Sequence, residues 1–196
     1  MIDDLDKSLE NLLKRELPQE LVSQVTISFA TPDGQFPPPS VSLPAIDLFL
    51  YDVRENRELR DGEWQVEHQE DSTLKRKGPP VRVDCSYLIT AWPSSGSTTP
   101  AQDEHRMLGE VMKALLRHAA LPADVLAGSL QGQQPPLPAS GLQPGRLQSM
   151  SELWQALGGK PRATLNYIVT LGVKLGLTAE AGPPVQKTVF KLRQGI

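Results

Sequence analysis

The run Pro79 to Pro93, PPVRVDCSYLITAWP, constrains this chain more than any other stretch. Val81, Val83, Cys85, Tyr87, Ile89 and Ala91 fall on one side of an extended chain. Arg82, Asp84, Ser86, Leu88, Thr90 and Trp92 fall on the other. Alternation kept up this long predicts a strand with one dry face and a second face that starts polar and ends apolar. At ~3.3 Å per residue the strand spans roughly 40 Å, about twice the usual length. Pro79 and Pro80 stand before the ladder needs their donors, and Trp92-Pro93 closes it.

Other segments supply partners for that strand. Ala45 to Val53 is apolar on both faces, interrupted only by Asp47 and Asp52. Such a strand belongs inside a sheet covered on both sides, or covered by a neighbouring subunit. Val25, Ile27 and Phe29 predict a half-buried strand, and Ala163 to Leu171 alternates as another. Strands are expected near 22–30, 45–55, 80–92 and 163–172, with a last extended segment at Val185 to Leu192. Ile2, Leu5, Leu9, Leu12 and Leu13 lie on one helical stripe, with Asp3 and Asp4 at the positive end of the helix dipole. The pattern Thr99-Pro100-Ala101-Gln102 reads as a capping box opening a helix to about 118, whose apolar stripe is Leu108, Val111, Met112, Leu115 and Leu116. Ser149 or Ser151 can cap a short helix through Leu157, stopped by Gly158-Gly159. The fold class expected is α+β: a mixed, mostly antiparallel sheet flanked by helices. A chain of 196 residues makes a single domain over 1–196 the default.

One region departs from this pattern. From Arg54 to Lys77 the chain reads RENRELRDGEWQVEHQEDSTLKRK, with Asp61-Gly62 as a hairpin-type turn. Joined to the strands on either side, it predicts a charged hairpin at about 54–78 that leaves the core. Its cations Arg54, Arg57, Arg60, Lys75, Arg76 and Lys77, with Trp64 as apolar anchor, are the candidate protein-interface residues. The competing reading is an ordinary solvated loop.

The search for chemistry returns little. His68, His105 and His118 are far apart and lack the spacing of a zinc site. Ser94, Ser95 and Ser97 surround Gly96 without forming a nucleophile elbow, and Gly158-Gly159-Lys160-Pro161 lacks the phosphate-loop spacing. Asp47 and Asp52 have opposite strand parity, so strict alternation sends them to opposite faces and away from a common metal with Asp84. No catalytic residue, cofactor or metal is expected. The single cysteine, Cys85, reads as a small buried hydrophobe and rules out an internal disulfide. A net charge of −3 gives no field toward nucleic acid or anionic membrane, and Lys75-Arg76-Lys77 is too short for a nucleic-acid footprint. The acidic opening MIDDLDKSLENLL has no signal-peptide core, and no run approaches the ~18 apolar residues of a membrane span. Folding in the cytoplasm is the expectation.

The segment PPVRVDCSYLITAW, preceded by AIDLFLYDVRENRELR and followed by EHRMLGEVMKALLRH, resembles a known family. It is the N-terminal domain family of the tail-terminator, or cap, protein of phage-tail-like extracellular contractile injection systems. The resemblance extends to IDDLDKSLENLLKREL, VTISFATPDG and LWQALGGKPRATLNYIVTLGV, nearly the whole chain. It implies a non-catalytic subunit of a homo-hexameric ring at the end of the particle distal to the baseplate. Its partners would be further copies of itself and the sheath and inner-tube proteins, whose length the ring helps to fix. It also implies assembly in a bacterial cytoplasm and a final place in the particle. Some members carry further C-terminal segments, whose role is in doubt for a sequence ending at Ile196. A monomeric, non-catalytic binding module or assembly adaptor with a mobile charged loop is the alternative, and an enzyme ranks below both.

Overall fold

The computed structural model describes residues 1–60, 62–68, 74–142 and 149–180. Its main sheet has five strands in the order β1-β2-β5-β7-β6. β1 is Thr26–Ser28, β2 Ala45–Glu55, β5 Val81–Trp92, β6 Ala139–Gly141 and β7 Leu165–Val173. The long strand β5 is central, flanked antiparallel by β2 and β7. Only β1 and β2 run parallel. The sheet is therefore mixed and mostly antiparallel, as expected, and the two-sided apolar strand β2 is interior. The strand expected at 22–30 shrinks to three residues, because Gln19–Val22 forms a short helix, α2.

One face of the sheet carries the core. Helices α1 (Ile2–Glu16) and α3 (Pro100–Leu116) lay their apolar stripes over it. Leu5, Leu9, Leu12 and Leu13 meet Val111, Ala114 and Leu115 above Ile46, Leu48, Cys85, Tyr87 and Ile89. Met107 and Leu108 pack on Ala91 beside this cluster, while of the expected stripe residues Met112 is only half-buried and Leu116, past the edge of the packed face, is exposed. Cys85 is fully buried, as its parity predicts, and burial pushes its thiol up to about 11. The hydroxyl of Tyr87 crosses the layer and donates to Asp6 Oδ1 at 2.7 Å. Burial in turn raises the Asp6 carboxyl above its ordinary range.

The second face of β5 is drier than its sequence suggests. Asp84, Ser86 and Thr90 are all buried, as is Leu88. Asp84 is held by the Asn56 side-chain amide, 3.1 and 3.2 Å from its two oxygens, and by the Thr170 hydroxyl at 2.8 Å. Buried polar groups cost little when their hydrogen bonds are made inside the protein. At the far end of this face Phe36 stacks on Trp92, with ring centroids 4.1 Å apart. The Arg162 guanidinium lies 3.6 Å from the Trp92 ring centroid and donates to the Ala91 carbonyl at 2.8 Å.

The expected cap of α3 needs correction, and that of the short helix near 150 is decided between its two candidates. The Thr99 side chain makes no capping bond. Instead the Ser97 hydroxyl accepts from the Thr99 N–H at 3.1 Å and donates to Asp103, so the reciprocal contact skips the expected pair. Of the two serines proposed for α4 (Met150–Ala156), Ser149 is the cap, accepting from the Glu152 N–H at 3.2 Å.

Candidate assembly interface

The charged hairpin builds a second sheet. β3 (Gln65–His68) and β4 (Leu74–Lys77) pair antiparallel, and β8 (Thr178–Glu180) pairs with β4 on its other side. The turn expected at Asp61-Gly62 thus precedes the paired strands in the chain, and the segment joining β3 to β4, 69–73, lies outside the described residues. Since β3 and β4 connect β2 to β5, and β8 follows β7, this sheet stands at one end of the main sheet, beyond Glu55, Val81 and Val173.

Register gives the small sheet two different faces. Val66 stands opposite Arg76, and Arg76 opposite Ala179. One step along the same face, Gly78 lies between Trp64 and Leu177. Its N–H donates to the Leu177 carbonyl at 2.9 Å. A Cβ on Gly78 would lie 3.3 Å from Leu177 Cβ and 3.7 Å from the Trp64 ring. So Trp64, Val66, Leu177 and Ala179 share one face with Arg76, while Lys75 and Lys77 lie on the other. This apolar face is open: Trp64, Val66 and Leu177 are 44%, 48% and 54% exposed.

The candidate residues thus separate into three places. Trp64 and Arg76 share the apolar face. Lys75 and Lys77 lie behind it. Arg54, Arg57 and Arg60 precede the small sheet, at the end of β2 and in the following bend. Arg54 bonds its own neighbour: Nε is 2.6 Å from Asp52 Oδ2. Arg60 is 3.6 Å from Glu55. These short-range pairs neutralise cations that sequence alone leaves available for a partner. Leu177 and Ala179 share this apolar face and are absent from the residues expected from sequence. Their signal is present, since Val173, Leu175, Leu177 and Ala179 continue the alternation of β7 across Gly176, which turns the chain at φ +68°. The extended segment expected at Val185 to Leu192 lies outside the described residues.

The parity argument that separates Asp47 from Asp52 fails. A bulge at Tyr51 shifts the register, so Asp47 faces Thr90 while Asp52 faces Ser86. Both then share the face of Asp84. They still do not converge, because Thr90 and Asp84 are six residues apart on β5, roughly 20 Å. Among the described residues no group of three or more His, Cys, Asp or Glu is placed to hold a metal. The same residues contain no helix long and apolar enough to cross a membrane. A groove of about 360 Å³ lies between α2 and α3, lined by Pro18, Glu20, Leu21, Gln24, Arg106 and Glu110. Arg106 is paired with Asp103 and Glu110 with Lys113.

Asp47 is the most perturbed carboxyl. It is fully buried, and desolvation raises it to about 7, offset in part by the Ser28 hydroxyl and the Ala30 N–H. The folded protein then binds a proton that the unfolded chain releases near pH 4. That contribution to stability is complete below the unfolded value and is lost as pH rises through about 7. Over that window the loss is on the order of 4 kcal/mol, from about three pKa units at ~1.4 kcal/mol each. Asp47→Asn should flatten the pH dependence of the denaturation midpoint between pH 4 and 8. An unchanged profile would mean that Asp47 stays ionised in the fold.

The small charged sheet thus presents an open apolar face of Trp64, Val66 and Leu177. The chain belongs to the Pvc16 N-terminal domain family, whose model matches residues 4–187. Solved structures give the same assignment. A sheath/tube terminator of an extracellular contractile injection system, PVC in its extended state, superposes with a TM-score of 0.68 and 26% identity. The tube-terminating cap of the anti-feeding prophage superposes with a TM-score of 0.62 and 27% identity. These likenesses cover 100% and 98% of this chain but 64% and 61% of those chains. No curated protein sequence matches significantly.

Proposed function

We propose that this chain is the tail-terminator, or cap, subunit of a contractile injection particle. It forms a homo-hexameric ring that closes the inner tube and sheath and fixes their length. The observation that carries this reading is the likeness, over essentially the whole chain, to a sheath/tube terminator and to a tube-terminating cap. The open apolar face at Trp64, Val66 and Leu177 supports it, because a ring subunit needs contact surface outside its own core. The role is structural and not enzymatic. Assembly takes place in the bacterial cytoplasm, on the end of a growing tube, and the whole chain acts as one terminator domain with the charged hairpin as its projecting contact.

A monomeric binding module would show the same open face, and mass in solution separates the two. Size-exclusion chromatography with light scattering should give a species of six times 21.5 kDa, the mass of one chain. A single species of one chain's mass at every concentration favours the module.

A further inference from the structure

A closed ring is built from heterologous contacts, so each copy must carry two different patches that fit one another. We propose that the apolar face of the small sheet in one copy docks on a notch formed by α3 and the β6 edge in the next. This pairing rests on the ring reading above. The notch consists of Met112, Leu116, Gly141 and Leu142. Leu116 and Leu142 are 53% and 47% exposed. A Cβ on Gly141 would lie 3.5 Å from Leu116 Cδ2, so the two elements form one surface.

Three further observations select this surface. First, apart from Met1, the exposed large apolar side chains among the described residues fall into just two groups. Trp64, Val66 and Leu177 belong to the small sheet, with Val53, Leu59 and Leu175 on the stretches of chain leading into it, and Leu116 with Leu142 forms the other group. Second, the groups cannot cover each other within one chain. The Leu142 N–H bonds to the Asn166 carbonyl, seven residues back along β7 from Val173. That is roughly 23 Å of strand before the small sheet begins. Third, the notch is shaped at some cost to the chain. Leu142 takes φ +59°, a left-handed conformation uncommon for a side chain of this size. Gly109 lies in the interior of α3 on the same stripe as Met112 and Leu116, and a Cβ there would meet nothing within 4 Å. Nothing among the described residues requires glycine at that point, whereas a neighbouring copy lying close against the helix would.

The test uses two variants of the full chain, each missing one half of the contact. The arm variant is Trp64→Asp with Val66→Asp; the notch variant is Leu116→Asp with Leu142→Asp. Wild type should be a ring by light scattering, and each variant alone a monomer with an unchanged circular dichroism spectrum. Mixed in equal amounts, the two should give a complex of twice the mass of one chain and nothing larger. The arm variant keeps its notch, the notch variant keeps its arm, and together they make a single productive contact. Neither misfolding nor general loss of solubility produces that gain. Gly109→Trp, which adds bulk in open space, should behave as the notch variant does. Wild-type rings together with a mixture that stays monomeric would overturn the pairing and leave the ring reading standing. Rings that still form from the arm variant would show that the apolar face meets a sheath or tube protein instead. A wild-type chain monomeric up to millimolar concentration would overturn both.

Discussion

Leu115→Asp should abolish soluble expression, while Leu116→Asp, one residue further along α3, should leave a folded domain. Leu115 is 3% exposed and packs in the cluster formed by α1, α3 and the centre of β5. Burial of a leucine contributes ~1.5–3 kcal/mol, and the substitution forfeits it. The larger penalty is the carboxylate, which would enter an apolar layer with no cation to pair with it and cost several kcal/mol more. A domain of this size has about 5–15 kcal/mol in total, so the two losses together exhaust most of it. At Leu116, 53% exposed, the same aspartate remains in water. Soluble, cooperatively folded Leu115→Asp protein, or insoluble Leu116→Asp protein, would show that α3 packs with a different face.

Replacing the segment between Leu59 and Leu74 by a tight turn should leave a folded domain that cannot assemble particles. Among its described residues none belongs to the main core, so stability should change little. The deletion removes Trp64, Val66 and the whole of β3, and with them most of the open apolar face. The charged residues it also removes contribute less, since exposed ion pairs give about 0–1 kcal/mol each. In a strain lacking the gene, the shortened chain should give particles of uncontrolled length, or none. Particles of normal length from the shortened chain would move the interface off the small sheet.

Periodic segments were readable wherever burial alone decides side-chain placement. Strands β2 and β5 run over 45–55 and 81–92, close to the spans their alternation predicts. Leucine spacing likewise places α1 and α3 on the core. Legibility fails where one residue resets the geometry. The extra residue at Tyr51 inverts the face of everything after it on β2, so simple parity misplaces Asp52 and Val53. The charged segment is recognisable as departing from the core, but its sheet is not, because β8 comes from the other end of the chain and spans three residues. Its apolar face emerges only when Trp64 and Gly78 are set beside Leu177, which lies far down the chain from both. Leu116 is equally silent, since an exposed leucine at the margin of a helical stripe reads as part of the core, and so is Leu142, which stands in a proline- and glycine-rich stretch without periodicity.

Electron microscopy of particles from a strain lacking this gene tests the terminator role most directly. The role predicts tubes and sheaths that vary widely in length and lack a closed distal end, with a narrow length distribution restored by the wild-type gene. Particles of normal, uniform length with a closed distal end in the deletion strain would contradict it.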